Sequence, residues 1–80
     1  MRIDKFLKNS RLIKRRTIAK EACEKERVMV NDKPAKPGTE VKVGDVIKIQ
    51  FGSSIIQAKV VNLSESSKKE DAATMYEIIE

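Results

Sequence analysis

Eight basic side chains crowd the first twenty residues: Arg2, Lys5, Lys8, Arg11, Lys14, Arg15, Arg16 and Lys20. They face a single acid, Asp4. This segment is therefore +7 (eight minus one) in a chain of net charge +5, while the other sixty residues, with nine bases and eleven acids, sum to −2. The chemistry open to such a cluster is capture of a polyanion through one face. Four of the eight are arginines, spread over positions 2 to 16. An arginine fork gives a phosphate two parallel hydrogen bonds and stacks on bases, which an ammonium group does not do. The plainer reading, solvated helix faces, accounts for isolated lysines and arginines. It accounts poorly for a single-signed run of this density, whose self-repulsion costs stability until an anion neutralises it. The cluster points to nucleic acid.

The elements that must carry these groups follow from periodicity. Ile3, Phe6 and Leu7 fall at i, i+3 and i+4, which predicts a short helix over residues 2–8, with Asp4 able to pair with Lys8 one turn on. Asn9 and Ser10 are stop and turn residues. A second helix is expected from Lys14 to Lys25, with Ile18, Ala19, Ala22 and Cys23 as a small-residue stripe for close packing on the first. Its bases lie toward the N-terminal end and Glu21, Glu24 and Glu26 toward the C-terminal end, against the helix dipole, which hints at an external constraint. After Arg27 the period becomes two. Val28 and Val30 make a short strand and Asn31-Asp32 a turn, and Pro37-Gly38 and Gly44-Asp45 are further turns. Ile47, Ile49 and Phe51, then Ile56, Ala58 and Val60, alternate as an antiparallel hairpin about Gly52-Ser53-Ser54. Residues 64–67 read as a polar break and 68–73 as one or two helical turns, before Met75, Tyr76, Ile78 and Ile79 close the chain as an edge strand or docked tail.

Composition narrows the rest. Eighty residues, 40 % apolar and 36 % charged, make one small domain. No apolar run reaches membrane-spanning length, no secretory pattern opens the chain, and Ile3, Phe6 and Leu7 offer too little apolar area for a membrane anchor. One cysteine and no histidine exclude a disulfide framework, most zinc sites and a Cys–His nucleophile pair, so no metal, cofactor or catalytic residue is expected. Cys23 reads as a small core residue and Asp45 as turn chemistry. Lys33 and Lys36 offer an extension of the nucleic-acid footprint, though solvated surface is the reading favoured for them, and the acids of the tail read as solvated surface rather than as a protein-partner site. The setting expected is reducing and cytoplasmic. A DNA-reading helix-turn-helix needs a third helix, whereas this chain turns to strands. With Phe6, Phe51 and Tyr76 as its aromatics, it shows no stacking platform for single strands. What remains is a rigid cationic helix pair that reads folded RNA by shape and phosphate position.

Several motifs then fall in order: Arg2-Ile3-Asp4-Lys5, Ser10-Arg11, Ala19 and Ala22, Arg27-Val28-Met29-Val30-Asn31, and Gly44-Asp45. Over residues 1 to about 51 the chain resembles the RNA-binding domain named after small-subunit ribosomal protein four, the S-four domain. It departs from that pattern at Glu26 and Asp32, where glycine is usual, so the second helix is expected to close in some other way. The resemblance implies an α+β fold, two N-terminal helices packed on a small, mainly antiparallel sheet with a short C-terminal helix or strand tail. It places an RNA-binding domain at residues 1–63 and the tail at 64–80. By residue matching it carries over Arg2, Asp4, Lys5, Arg11, Arg15 and Arg16 as the RNA-facing set, to which the charge cluster adds Lys8, Lys14 and Lys20. Short stand-alone members include a heat-shock-protein-fifteen type and a type serving bacterial ribosome-associated quality control. The run RLIKRRTIAKEA and the ending KKEDAATMYEII are most like the second. That likeness implies a non-enzymatic, ribosome-associated monomer. Its partners would be the rRNA of a stalled large subunit, the peptidyl-tRNA and an RqcH-type factor that adds alanine tails, with no membrane among them. The heat-shock type recycles blocked large subunits and usually carries a long basic extension, unlike this short acidic tail. An enzyme fragment and a helix-turn-helix regulator are the more distant alternatives.

Overall fold

The chain is described by a computed structural model covering residues 1–63 and 74–79. Ile3, Phe6 and Leu7 do share a face. They are fully buried on α1 (Ile3–Asn9). Seven residues are too few for a helix to stand alone, and α1 is held by the loop that follows the first hairpin. The Ile3 N–H donates to the Thr39 carbonyl at 2.7 Å and the Asp4 N–H to that of Pro37 at 3.3 Å, while the Val41 N–H donates to the Met1 carbonyl at 2.9 Å. Its other end closes on Ser10, whose hydroxyl donates to the Leu7 carbonyl at 3.2 Å.

The second helix, α2 (Arg16–Glu24), starts two residues later than the sequence suggests, and Lys14 and Arg15 stay in the connecting loop. Ala19 and Cys23 are buried and Ala22 half-buried, but Ile18 is 49 % exposed and leaves the expected stripe. The reason is geometric. Each helical residue turns about 100°, so Ile18 falls off the narrow face that Ala19 and Cys23 press against the core. The helix closes in a Schellman arrangement, with the Glu26 N–H on the Cys23 carbonyl (3.0 Å) and the Arg27 N–H on that of Ala22 (2.9 Å). Glu26 itself takes the left-handed conformation (φ 59°), so the expectation that another closure replaces the glycine one is corrected: the geometry is kept and a glutamate bears it.

The strands are β1 (Val28–Val30), β2 (Lys33–Pro34), β3 (Val46–Phe51), β4 (Ser54–Val60) and β5 (Tyr76–Ile79). They form one antiparallel sheet in the order β2-β1-β3-β4-β5. Pairings Val28↔Ile49 and Val30↔Ile47 put these four residues on one face, where with Val60 they join the core under the helices, whereas Phe51, expected to continue the alternation, is exposed at the end of β3. The β1–β2 turn holds Asn31 and Asp32 at φ 51° and 66°, the double left-handed pair of a two-residue hairpin. Asn31 is also a strut: its side-chain oxygen accepts the Val46 N–H at 3.0 Å and its amide donates to Asp45 at 3.1 Å. Asp45 in turn accepts the Lys42 N–H at 2.9 Å, the turn role expected of it. The expected hairpin forms in register, with a turn of Gly52 and Ser53 and Ser54 already in β4. Of the two endings considered for the chain, the edge strand is the one formed, and Met75 is fully buried beside it. The expected break at 64–67 and the helical turns at 68–73 lie outside the described residues. The fold is α+β, with two helices on a five-stranded antiparallel sheet among the described residues. Residues 28–51 supply strands and turns, not the third helix that a DNA-reading trihelical unit needs.

Candidate nucleic-acid interface

Asp4 is the junction of the cationic face. Its side chain is 3 % exposed, deep for a carboxylate, and it holds arginines from two elements. Arg2, the N-cap of α1, places Nη2 3.2 Å from Asp4 Oδ2, and Arg16, the first residue of α2, places Nε 3.5 Å from the same oxygen. Asp4 Oδ1 accepts the Lys5 N–H at 2.7 Å, so both carboxylate oxygens are engaged. The expected Asp4–Lys8 pair is not the one formed: the backbone N–H of Asp4 bonds the 37–39 loop, and its carboxylate is taken by two guanidinium groups, one of them at the start of α2. Each arginine side chain stays 51 % exposed. A guanidinium has five N–H donors, so one carboxylate fixes each group while leaving donors for a second, external anion.

The other candidates surround this pair. Lys20 follows Arg16 by one turn on the same flank of α2 and is exposed. Lys5 and Lys8 are half-buried on the outward side of α1. Arg11, Lys14 and Arg15 line the loop between the helices and are exposed. Arg11 sits just past the end of α1 at φ 61°, a conformation that costs a non-glycine residue roughly 1–2 kcal/mol. Arg15 is the extended N-cap of α2 (φ −126°, ψ 136°) and gives no side-chain cap, and the first turn of α2 holds no acid. Uncapped N–H groups and the positive end of the dipole thus reinforce the bases. Among the described residues, Lys8, Lys14, Arg15 and Lys20 make no ion pair. The structure brings Arg2, Asp4 and Arg16 into contact and sets the other six around them on α1, α2 and their connection.

The remaining chemistry is quiet. Cys23 is buried, and burial, followed by the Asp4 and Glu24 carboxylates, pushes its thiol up to about 11, well away from a reactive thiolate. A hollow of about 340 Å³ between the end of α2 and the loop after β2 is lined by Glu24, Glu26, Cys23 and residues 34–37. Its two carboxylates mark the acidic limit of the cationic face. Sequence reasoning missed how the 37–39 loop braces Asp4, because those residues are distant in the chain. The signal available was a lone aspartate among eight bases.

The profile of the S4 domain matches residues 1–47. Over 79 residues the chain is 60 % identical to the RQC P-site tRNA stabilizing factor of Listeria monocytogenes, covering 99 % of this chain and 86 % of that one. It is 48 % identical to the protein of that name in Bacillus subtilis, over 99 % of this chain and 92 % of the relative. Among solved structures it is similar to the trimeric heat shock protein 15 of Vibrio cholerae, with a TM-score of 0.91 at 26 % identity, over 99 % of this chain and 81 % of the other. Motif order, helix-on-sheet architecture and a profile match across more than half its length agree, and the chain belongs to the S4 domain family.

Proposed function

We propose that this protein is a non-enzymatic RNA-binding factor of ribosome-associated quality control. It binds stalled large ribosomal subunits through rRNA and the peptidyl-tRNA, and supports alanine-tail addition by an RqcH-type factor in the cytoplasm. The observation that carries the reading is the Arg2–Asp4–Arg16 junction, which fixes two half-exposed guanidinium groups from separate helices on one cationic face. The name borne by relatives at 60 % and 48 % identity, RQC P-site tRNA stabilizing factor, supports a tRNA as the polyanion. The mechanism is electrostatic and geometric. Arg2, Arg16 and Lys20 on one flank, with Arg11, Lys14 and Arg15 in the connection and Lys5 and Lys8 on α1, neutralise phosphates of folded RNA. Asp4 orients and does not bind. A tRNA clamped against rRNA keeps its position while the ribosome and its partner factor supply the chemistry. Residues 1–63 form the binding unit, residues 64–80 its tail, and the protein acts as a monomer.

Arg16→Ala is expected to weaken co-sedimentation with large subunits about tenfold, the scale of one charge-assisted contact, with an unchanged circular dichroism spectrum. Unaltered co-sedimentation would remove Arg16 from the interface. A second reading, recycling of blocked large subunits in the manner of heat shock protein 15, has the structural likeness to the Vibrio protein in its favour. Alanine-tailed peptides in a deletion strain separate the two: their loss supports the quality-control role, and their persistence supports recycling.

A further inference from the structure

We infer that the Lys36–Thr39 loop is a second wall of the RNA site, with Lys36 taking a phosphate and the Gly38 backbone lying against the RNA beside Arg2. The inference rests on the reading of the helix pair as the RNA-binding face and adds residues that neither the charge cluster nor the motif matching includes.

The loop is built rigidly and built onto the junction. The Lys36 N–H donates to Thr39 Oγ1 at 2.9 Å and the Thr39 N–H returns to the Lys36 carbonyl at 3.0 Å, closing a tight four-residue turn. That turn then accepts both N–H groups at the start of α1, Ile3 on Thr39 and Asp4 on Pro37. The residue that orients Arg2 and Arg16 is therefore set by the same backbone that carries Lys36, which is exposed. Gly38 has no conformational need to be glycine, since its φ is not in the left-handed range. Nor does packing require it. A Cβ built there meets only the Arg2 guanidinium, at 3.9 and 4.0 Å, which is ordinary contact. A glycine that neither turn geometry nor the interior demands, lying against an RNA-facing arginine, suits the remaining use of a bare backbone, close approach of a ligand. Lys36 shares the lining of the hollow at the end of α2 with Glu24 and Glu26, so the loop stands where the cationic face gives way to carboxylates.

The test measures affinity of the full chain for isolated large ribosomal subunits across a salt series. Lys36→Gln is expected to weaken binding about three- to tenfold and to flatten the log–log salt slope by about 0.7–0.9, one phosphate contact. Lys59→Gln, at an exposed position of β4, serves as the control for net charge. A slope unchanged by Lys36→Gln, or flattened as much by Lys59→Gln, overturns the assignment of Lys36. Gly38→Ala is expected to keep or raise the melting temperature while weakening binding several-fold. Wild-type affinity in Gly38→Ala overturns the role of its backbone. Should Arg16→Ala bind as the wild type in the same series, the reading of the helix pair itself fails, whatever Lys36 does.

Discussion

Asp4 makes the clearest case for organisation over bare charge. Removing a carboxylate from a cationic face should, by Coulomb attraction alone, strengthen binding to RNA. The junction geometry demands the opposite, because Asp4 holds two long side chains that otherwise lose order. Fixing a flexible side chain is worth about 0.5–1.5 kcal/mol each. Asp4→Asn should therefore lower affinity for large subunits about fivefold or more, and lower unfolding free energy by about 1–2 kcal/mol in a denaturant titration. The stability loss is modest because the arginine partners are half in water. Tighter binding by the variant would contradict the orienting role. Cys23 gives a pH-dependent expectation. Its folded thiol titrates at about 11 against 9.0 for the free group, so the folded state holds its proton longer. The stability this contributes is intact below pH 9.0 and is lost as pH rises toward 11. Alkylation by iodoacetamide at pH 8 should be far slower in the native protein than in the denatured one. Equal rates would show the thiol to be open. Of these two residues, Cys23 was legible from its place among alanines. The partners of Asp4 were not, because a carboxylate one turn from a lysine reads as a local pair until the fold brings Arg16 beside it.

Among the elements, legibility followed how local the determining signal is. The β3–β4 hairpin was readable, apart from Ser54, which belongs to β4 and not to the turn, because alternation and a glycine-led turn fix the pairing within a dozen positions. The start of α2 was not, because its N-cap is an arginine in place of a serine or aspartate, and the usual boundary marker is missing. Ile18 was misplaced because a stripe counted from small residues hides how narrow the buried face is. The end of α2 shows the same tension between stability and sequence. Glu26 occupies a left-handed position at a cost of roughly 1–2 kcal/mol. Glu26→Gly relieves that strain but loses about 0.5–1 kcal/mol to added chain entropy in the unfolded state. The net gain of about 0.5–1 kcal/mol should raise Tm by roughly 2–8 °C. A lower Tm would mean that the Glu26 side chain contributes contacts that outweigh its backbone strain.

Taken whole, the molecule is a small scaffold with one charged working side. Its extents are 28 × 27 × 22 Å. Five phosphates along one strand span roughly 14 Å at about 3.4 Å per step of a duplex, so a single face can engage them together. The polarity of charge, +7 in the first twenty residues against −2 in the rest, was plain in the sequence and survives folding, since Arg2 and Arg16 remain half exposed although both are tied to Asp4. What the sequence did not show is that the loop after β2 closes against that side, a contact made by residues more than thirty positions from α1. The most direct trial of the RNA-binding face is equilibrium binding of the wild-type chain to large ribosomal subunits over a salt series. Neutralisation of about five phosphates means that affinity falls about 100- to 500-fold between roughly 50 and 200 mM salt. A nearly flat response over that range would contradict it.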